Sequence, residues 1–124
     1  MSSKMKKEAL EASLVVAKQV TENKKIIQEL SQYLKAVDPY SLVSIARGSS
    51  DHACQYMNYL AMAKLGLLPT SLSMSILTMY GANLKVNNSL AIAISQSGQS
   101  PDVVNPLKYF SDNALSSIAL VNDT

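Results

Sequence analysis

The sequence predicts an α/β domain built on a parallel sheet of about four strands, with helices on both faces, behind a long N-terminal helical segment. Three observations carry this prediction. Short aliphatic runs alternate along the chain with segments whose apolar residues recur at helical spacing. One run, Leu90 to Ile94, is apolar at every position, the pattern of a strand buried on both faces of a parallel sheet. Two runs end in polar loops that open a helix, Arg47-Gly48-Ser49-Ser50-Asp51 and Ser95-Gln96-Ser97-Gly98-Gln99-Ser100.

Taken in order, Lys4 to Val37 is the longest helical pattern, with Leu10, Leu14, Ala17, Ile27, Leu30 and Leu34 at three- and four-residue steps or their multiples. Its apolar face loosens around Thr21 to Lys25, so two helices with a break there fit equally well. Asp38-Pro39 ends the pattern, because the residue before proline disfavours helix. Residues 1–37 are therefore expected as a helical segment and residues 38–124 as the α/β domain. Ser41 to Ala46 reads as the first strand. Ala53, Tyr56, Met57, Leu60, Ala61 and Leu65 make a helical stripe, with Ser50 or Asp51 as N-cap and Gly66 just past the end. Leu68 to Met74 contains an edge strand that tolerates Pro69, and Ile76 to Leu84 is a short helix weakened by Gly81. After the buried strand, Pro101 to Asn113 is a helix with Val103, Val104, Leu107 and Phe110 inward. Pro101 suits the first turn, whereas Pro106 should kink or shorten the helix. Ser117 to Val121 is the last strand, and Asn122-Asp123-Thr124 reads as the start of another polar loop.

Composition excludes several function classes. The 124 residues suffice for one core, and 48% hydrophobic with 16% charged residues describes a folded globular domain. A net charge of +2, with lysines interleaved among Glu8, Glu11 and Glu22, gives no basic patch for nucleic acid. Cys54 and His52 are the only residues of their types, so no internal disulfide can form, and the two, two positions apart, supply no tetrahedral metal set by themselves. No metal or cofactor is expected. There is no run of membrane-spanning length and no signal-peptide pattern, so the expected location is the cytoplasm.

The chemistry lies in the two loops. Right-handed crossovers place the C-terminal loops of parallel strands on one edge of the sheet, where open α/β sheets take their ligands. Ser49, Ser50, Ser95, Ser97 and Ser100 offer hydroxyls, and Gln96 and Gln99 offer amides. Gly98 lets a ligand approach the backbone closely. Neutral donors around a helix N-terminus suit a phosphate monoester with a polyhydroxy body. Ordinary turn chemistry, with Ser100 merely capping a helix, accounts for the same composition. The nucleotide P-loop and dinucleotide glycine patterns are absent. Arg47 can pair with a ligand phosphate, but pairing with Asp51 or holding helix ends weighs ahead of that. Asp51, His52 and Asp102 are the only acid–base candidates nearby, and none has an evident partner to tune it. The residues point to binding, and no catalytic residue is assigned.

The runs Ala46-Arg47-Gly48-Ser49-Ser50-Asp51-His52-Ala53 and Asn88 to Asp102, with Ser95-Gln96-Ser97-Gly98 at its centre, resemble the sugar isomerase (SIS) family. Within it they are similar to the isomerase part of glutamine–fructose-6-phosphate aminotransferase and to glucosamine-6-phosphate deaminases. Where the aminotransferase usually continues Gly-Glu-Thr, this chain has Gly98-Gln99-Ser100, a departure that leans toward the deaminase-like relatives and keeps the hydroxyl. The resemblance implies a flavodoxin-like three-layer sandwich. It implies that Ser50, Ser95, Gln96, Ser97 and Ser100 bind a phosphorylated sugar of the fructose 6-phosphate or glucosamine 6-phosphate class, with Ser49 and Gly98 beside them. Members of the family carry two such domains in tandem and take their catalytic glutamate, histidine and lysine from the second. The chain is accordingly expected to be a C-terminally incomplete first domain, inactive alone, that pairs with a second SIS domain or with its own copy. A free-standing sugar-phosphate-sensing module is the alternative.

Overall fold

The computed structural model describes residues 3–122, and it divides into two compact units at the Asp38–Pro39 peptide. The first unit holds α1 (Lys4–Glu22) and α2 (Lys24–Val37). Ser3 caps α1 by accepting a hydrogen bond from the Lys6 amide on its Oγ at 3.2 Å. The two helices meet at Asn23, inside the stretch where the apolar face loosens. Neither helix has a buried residue, and Leu10, Leu14, Val20 and Ile26 are all exposed. The α2 helix ends at Asp38, which takes a left-handed conformation (φ 47°) ahead of Pro39.

The second unit runs β1 (Ser41–Ile45), α3 (Ser49–Leu60), β2 (Leu68–Ser71), α4 (Ser75–Thr78), β3 (Ser89–Ser95), α5 (Pro101–Asn113) and β4 (Ser116–Val121). The four strands form one sheet in the order β2-β1-β3-β4, and every pair is parallel. The central register sets Ser41 against Ser89 and Ile45 against Ala93. One face of the sheet carries Val43, Ile45, Ala91 and Ala93, which pack with Val86 and with Val103 and Phe110 of α5. The other face meets α3, where Asn58 Nδ2 donates to Ser44 Oγ at 3.0 Å beside the buried Cys54. The alternation of faces along β1 and β3 is the two-residue period of a pleated strand buried on both sides.

Several expected features change in detail. The α3 helix turns its 54–57–58–61 face to the sheet, because Cys54 and Ala61 are buried while Ala53, Tyr56 and Leu65 are exposed. Its N-cap is Gly48, not Ser50 or Asp51, so both of those residues lie inside the first turn. The helix then widens into a π-helical turn over Ala61–Leu65 that closes on Gly66 in the left-handed region. The β2 strand is only four residues long, and the helix expected to reach Leu84 stops at Thr78. Residues 79–88 have no regular structure and are anchored instead by Tyr109, whose phenol accepts from the Leu84 amide at 2.9 Å. Pro106 does not shorten α5; its ring is fully buried, so core packing offsets the missing amide. The polar loop expected from Asn122 onward lies largely outside the described residues.

Candidate functional site

Adjacent parallel strands fix the position of the site loops. In a sheet ordered β2-β1-β3-β4, the chain leaves β1 toward one side and β3 toward the other. The gap between their carboxyl ends is the switch point at which open α/β sheets take ligands. Arg47 and Ser95 each stand two residues beyond the last register pair, Ile45 with Ala93. The two polar loops thus emerge side by side.

The first loop is a tight strand-to-helix junction. Gly48 adopts φ 58° and ψ −133°, a conformation that L side chains rarely reach. It reverses the chain so that Ser49 begins α3 directly. Ser50 is half-buried, whereas Ser49 is exposed. Asp51 lies in the first helical turn and accepts from Gln55 Nε2 at 3.4 Å, and His52 is exposed.

The second loop is a self-bonded turn. Ser95 Oγ accepts from the Gly98 amide at 3.1 Å, and Ser97 Oγ accepts from the Gln99 amide at 3.2 Å. Gly98 takes a left-handed conformation (φ 66°) that lets the turn close. Both serine hydroxyls act as acceptors in these bonds, so each keeps its own proton to donate. Gln96 and Ser97 are exposed, and Ser95 and Ser100 are half-buried.

Ser100 is the N-cap of α5, yet its side chain makes no capping hydrogen bond. Its carbonyl instead takes the Val103 and Val104 amides at 3.0 and 2.9 Å. Pro101 has no amide proton, and the Asp102 amide has no partner among the described residues. The start of α5 therefore presents an uncommitted hydroxyl, a free backbone donor and the positive end of a 13-residue helix.

Arg47 and Asp102 bridge the two loops: the Arg47 guanidinium pairs with the Asp102 carboxylate. Of the partners open to Arg47 in the sequence, Asp51 is not the one taken. The pairing escapes sequence reading because Arg47 and Asp102 are 55 residues apart and meet only through the β1–β3 register.

The buried thiol of Cys54 also lies close to β1. Burial pushes its thiol above the ordinary value, the Asp51 charge pushes the same way, and a hydrogen bond with Ser44 opposes both. It lies under α3, on the sheet face opposite the main core. Two clefts open elsewhere on α5. One, of about 170 Å³, lies between α4 and α5 at Leu77, Gly81 and Tyr109; the other, of about 340 Å³, lies between α5 and β4 at Leu107, Lys108 and Ile118. Neither contains a residue of the two polar loops. No group of three or more potential metal ligands occurs among the described residues, and no helix there is long and apolar enough to cross a membrane.

No family model matches the chain, and no curated protein matches it. Solved structures do. That of a candidate phosphosugar isomerase from Silicibacter pomeroyi DSS-3 matches with a TM-score of 0.89 and 36% sequence identity over 98% of this chain. The chain spans 37% of the length of that structure. The structure of a hypothetical protein matches with a TM-score of 0.61 and 18% identity, over 91% of this chain and 58% of its own length, a likeness of fold alone. The four-stranded parallel sheet, its flanking helices and the first of these matches together identify the fold of this chain as the flavodoxin-like fold of sugar isomerase domains.

Proposed function

We propose that the α/β unit binds a sugar phosphate at the junction of the β1 and β3 loops. The phosphate sits at the N-terminus of α5, held by Ser95, Gln96, Ser97 and Ser100, while Ser50 closes the site from the neighbouring loop and Ser49 and Gly98 flank it. The observation that carries this reading is the uncommitted N-cap of α5. A serine that served only the helix would cap it, and Ser100 does not. The likeness to a candidate phosphosugar isomerase supports the same ligand chemistry. The sugar is of the fructose 6-phosphate or glucosamine 6-phosphate class, as in aminosugar-phosphate isomerases, aminotransferases and deaminases. On this reading the loops hold the sugar and do not transform it. Two of the three acid–base candidates already have partners, Asp102 with Arg47 and Asp51 with Gln55. Pairing with a second domain of the same kind would complete such an enzyme.

Thermal denaturation with and without ligand tests the proposal. A ligand present at 100 times its Kd stabilises the native state by about 2.7 kcal/mol. Fructose 6-phosphate or glucosamine 6-phosphate should raise Tm, and unphosphorylated fructose should not. Ser100→Ala is the most telling variant, because its hydroxyl makes no capping bond and has no hydrogen-bond partner among the described residues. It should leave the free Tm unchanged and weaken ligand binding by roughly 10-fold or more, the worth of a hydrogen bond to a charged group. Ser97→Ala should weaken binding as well, at a small cost to the turn. Undiminished binding in both variants would reduce the loop to a plain turn.

A further inference from the structure

We propose that Arg47 is a positioning residue for the ligand phosphate, and that it acts by neutralising Asp102. This rests on the sugar-phosphate reading and adds a charge requirement to it. Asp102 is the second residue of α5, and its carboxylate lies beside the helix end at which the phosphate is placed. A carboxylate there is favoured by the helix dipole, but it competes with an anionic ligand for the same positive end. Asp51 is the third residue of α3, in the first turn of the helix that follows the neighbouring loop. The loops therefore bring two carboxylates to one edge of the sheet, and Arg47, the only arginine in the chain, pairs with the one at the α5 N-terminus, Asp102. Its pairing with Asp102 cannot be there chiefly for stability. The side chains are 61% and 44% exposed, and pairs that open to water contribute little. What the pair does change is the field at the α5 N-terminus: with Arg47 in place the dianion meets a satisfied carboxylate, and without it a bare one.

This predicts effects of opposite sign from the two partners of one ion pair. Titration calorimetry with fructose 6-phosphate would compare the wild-type chain with Arg47→Ala, Arg47→Lys, Asp102→Asn and the Arg47→Ala/Asp102→Asn double variant. Arg47→Ala should weaken binding by about tenfold or more. Arg47→Lys should keep most of the affinity, and Asp102→Asn should keep or improve it. The double variant should recover to within about threefold of Asp102→Asn alone. A pair that merely latched the loops together would behave otherwise: Asp102→Asn would weaken binding as much as Arg47→Ala, and the double variant would be no better. That result, or wild-type affinity in Arg47→Ala, overturns the proposal while leaving the sugar-phosphate site standing. A wild-type chain that ignores both fructose 6-phosphate and glucosamine 6-phosphate removes both.

Discussion

Gly48 and Cys54 show how differently single residues declare themselves. At Gly48 no atom lies within 4 Å of the place a Cβ would occupy, so a side chain there is limited by backbone conformation alone. That need is legible in the sequence, where a glycine follows an aliphatic run and precedes a helix. The hydroxyls of Ser49, Ser50, Ser95, Ser97 and Ser100 were legible as a group for the same reason. Which of them is free to donate was not, because the bonds from the Gly98 and Gln99 amides depend on the exact turn. The setting of the buried Cys54 among Ser44, Asn58 and Asp51 is not legible in the sequence either. The raised thiol pKa has a definite pH signature. The folded state holds the thiol proton more tightly than the unfolded chain does. The resulting stabilisation is complete below the ordinary thiol value of about 8.5 and is lost as pH rises through the higher folded value. Urea midpoints measured from pH 7 to 10 should fall more steeply for the wild type than for Cys54→Ala; parallel slopes would mean that the thiol titrates alike in both states.

Among the elements, α5 and α4 mark the two extremes. The bounds of the helix Pro101–Asn113 were legible, because Pro101 marks its start and its apolar residues keep helical spacing, but Val104, expected inward, is exposed while Pro106 takes a place in the core. The bounds of the helix expected over Ile76 to Leu84 were not legible, and only Ser75–Thr78 forms. Gly81 takes φ 57°, and the following segment gives its polar groups to a residue 25 positions away. The Tyr109 phenol accepts from the Leu84 amide and can donate to Asn83 Oδ1 at 3.0 Å, while its ring packs edge-on against Phe110. A local pattern holds no trace of that anchor. Tyr109→Phe keeps the ring and removes the anchor, leaving a partly buried amide unpaired. It should cost about 1–3 kcal/mol in chemical denaturation. Amide exchange should also quicken across 79–88 before it quickens in the strands. Unchanged exchange there would show that Val86 and Leu84 hold the segment by packing alone.

At the scale of the whole α/β unit, the alternation of strands and helices led to the parallel sheet, and crossover geometry brought the two polar loops to one edge. The partner of Arg47 stayed hidden because Asp51, four residues on, is the acid in local reach, while Asp102 comes near only through the β1–β3 register. The all-parallel sheet also has a kinetic side. Ser41 Oγ and Ser89 Oγ share a hydrogen bond of 2.8 Å across 48 residues of chain, and no hairpin can bring β1 and β3 together. The central pairing therefore closes a long loop, the kind of contact that slows folding. Refolding followed by fructose 6-phosphate binding should recover no earlier than refolding followed by strand amide protection. A binding signal that precedes the strands would place the site in one loop alone. On the proposed reading the site draws on both loops, so full affinity for a sugar phosphate is expected only once β3 lies beside β1. A ligand held in that way would report completed folding, because Ser50 joins the other loop only when the central strands have paired.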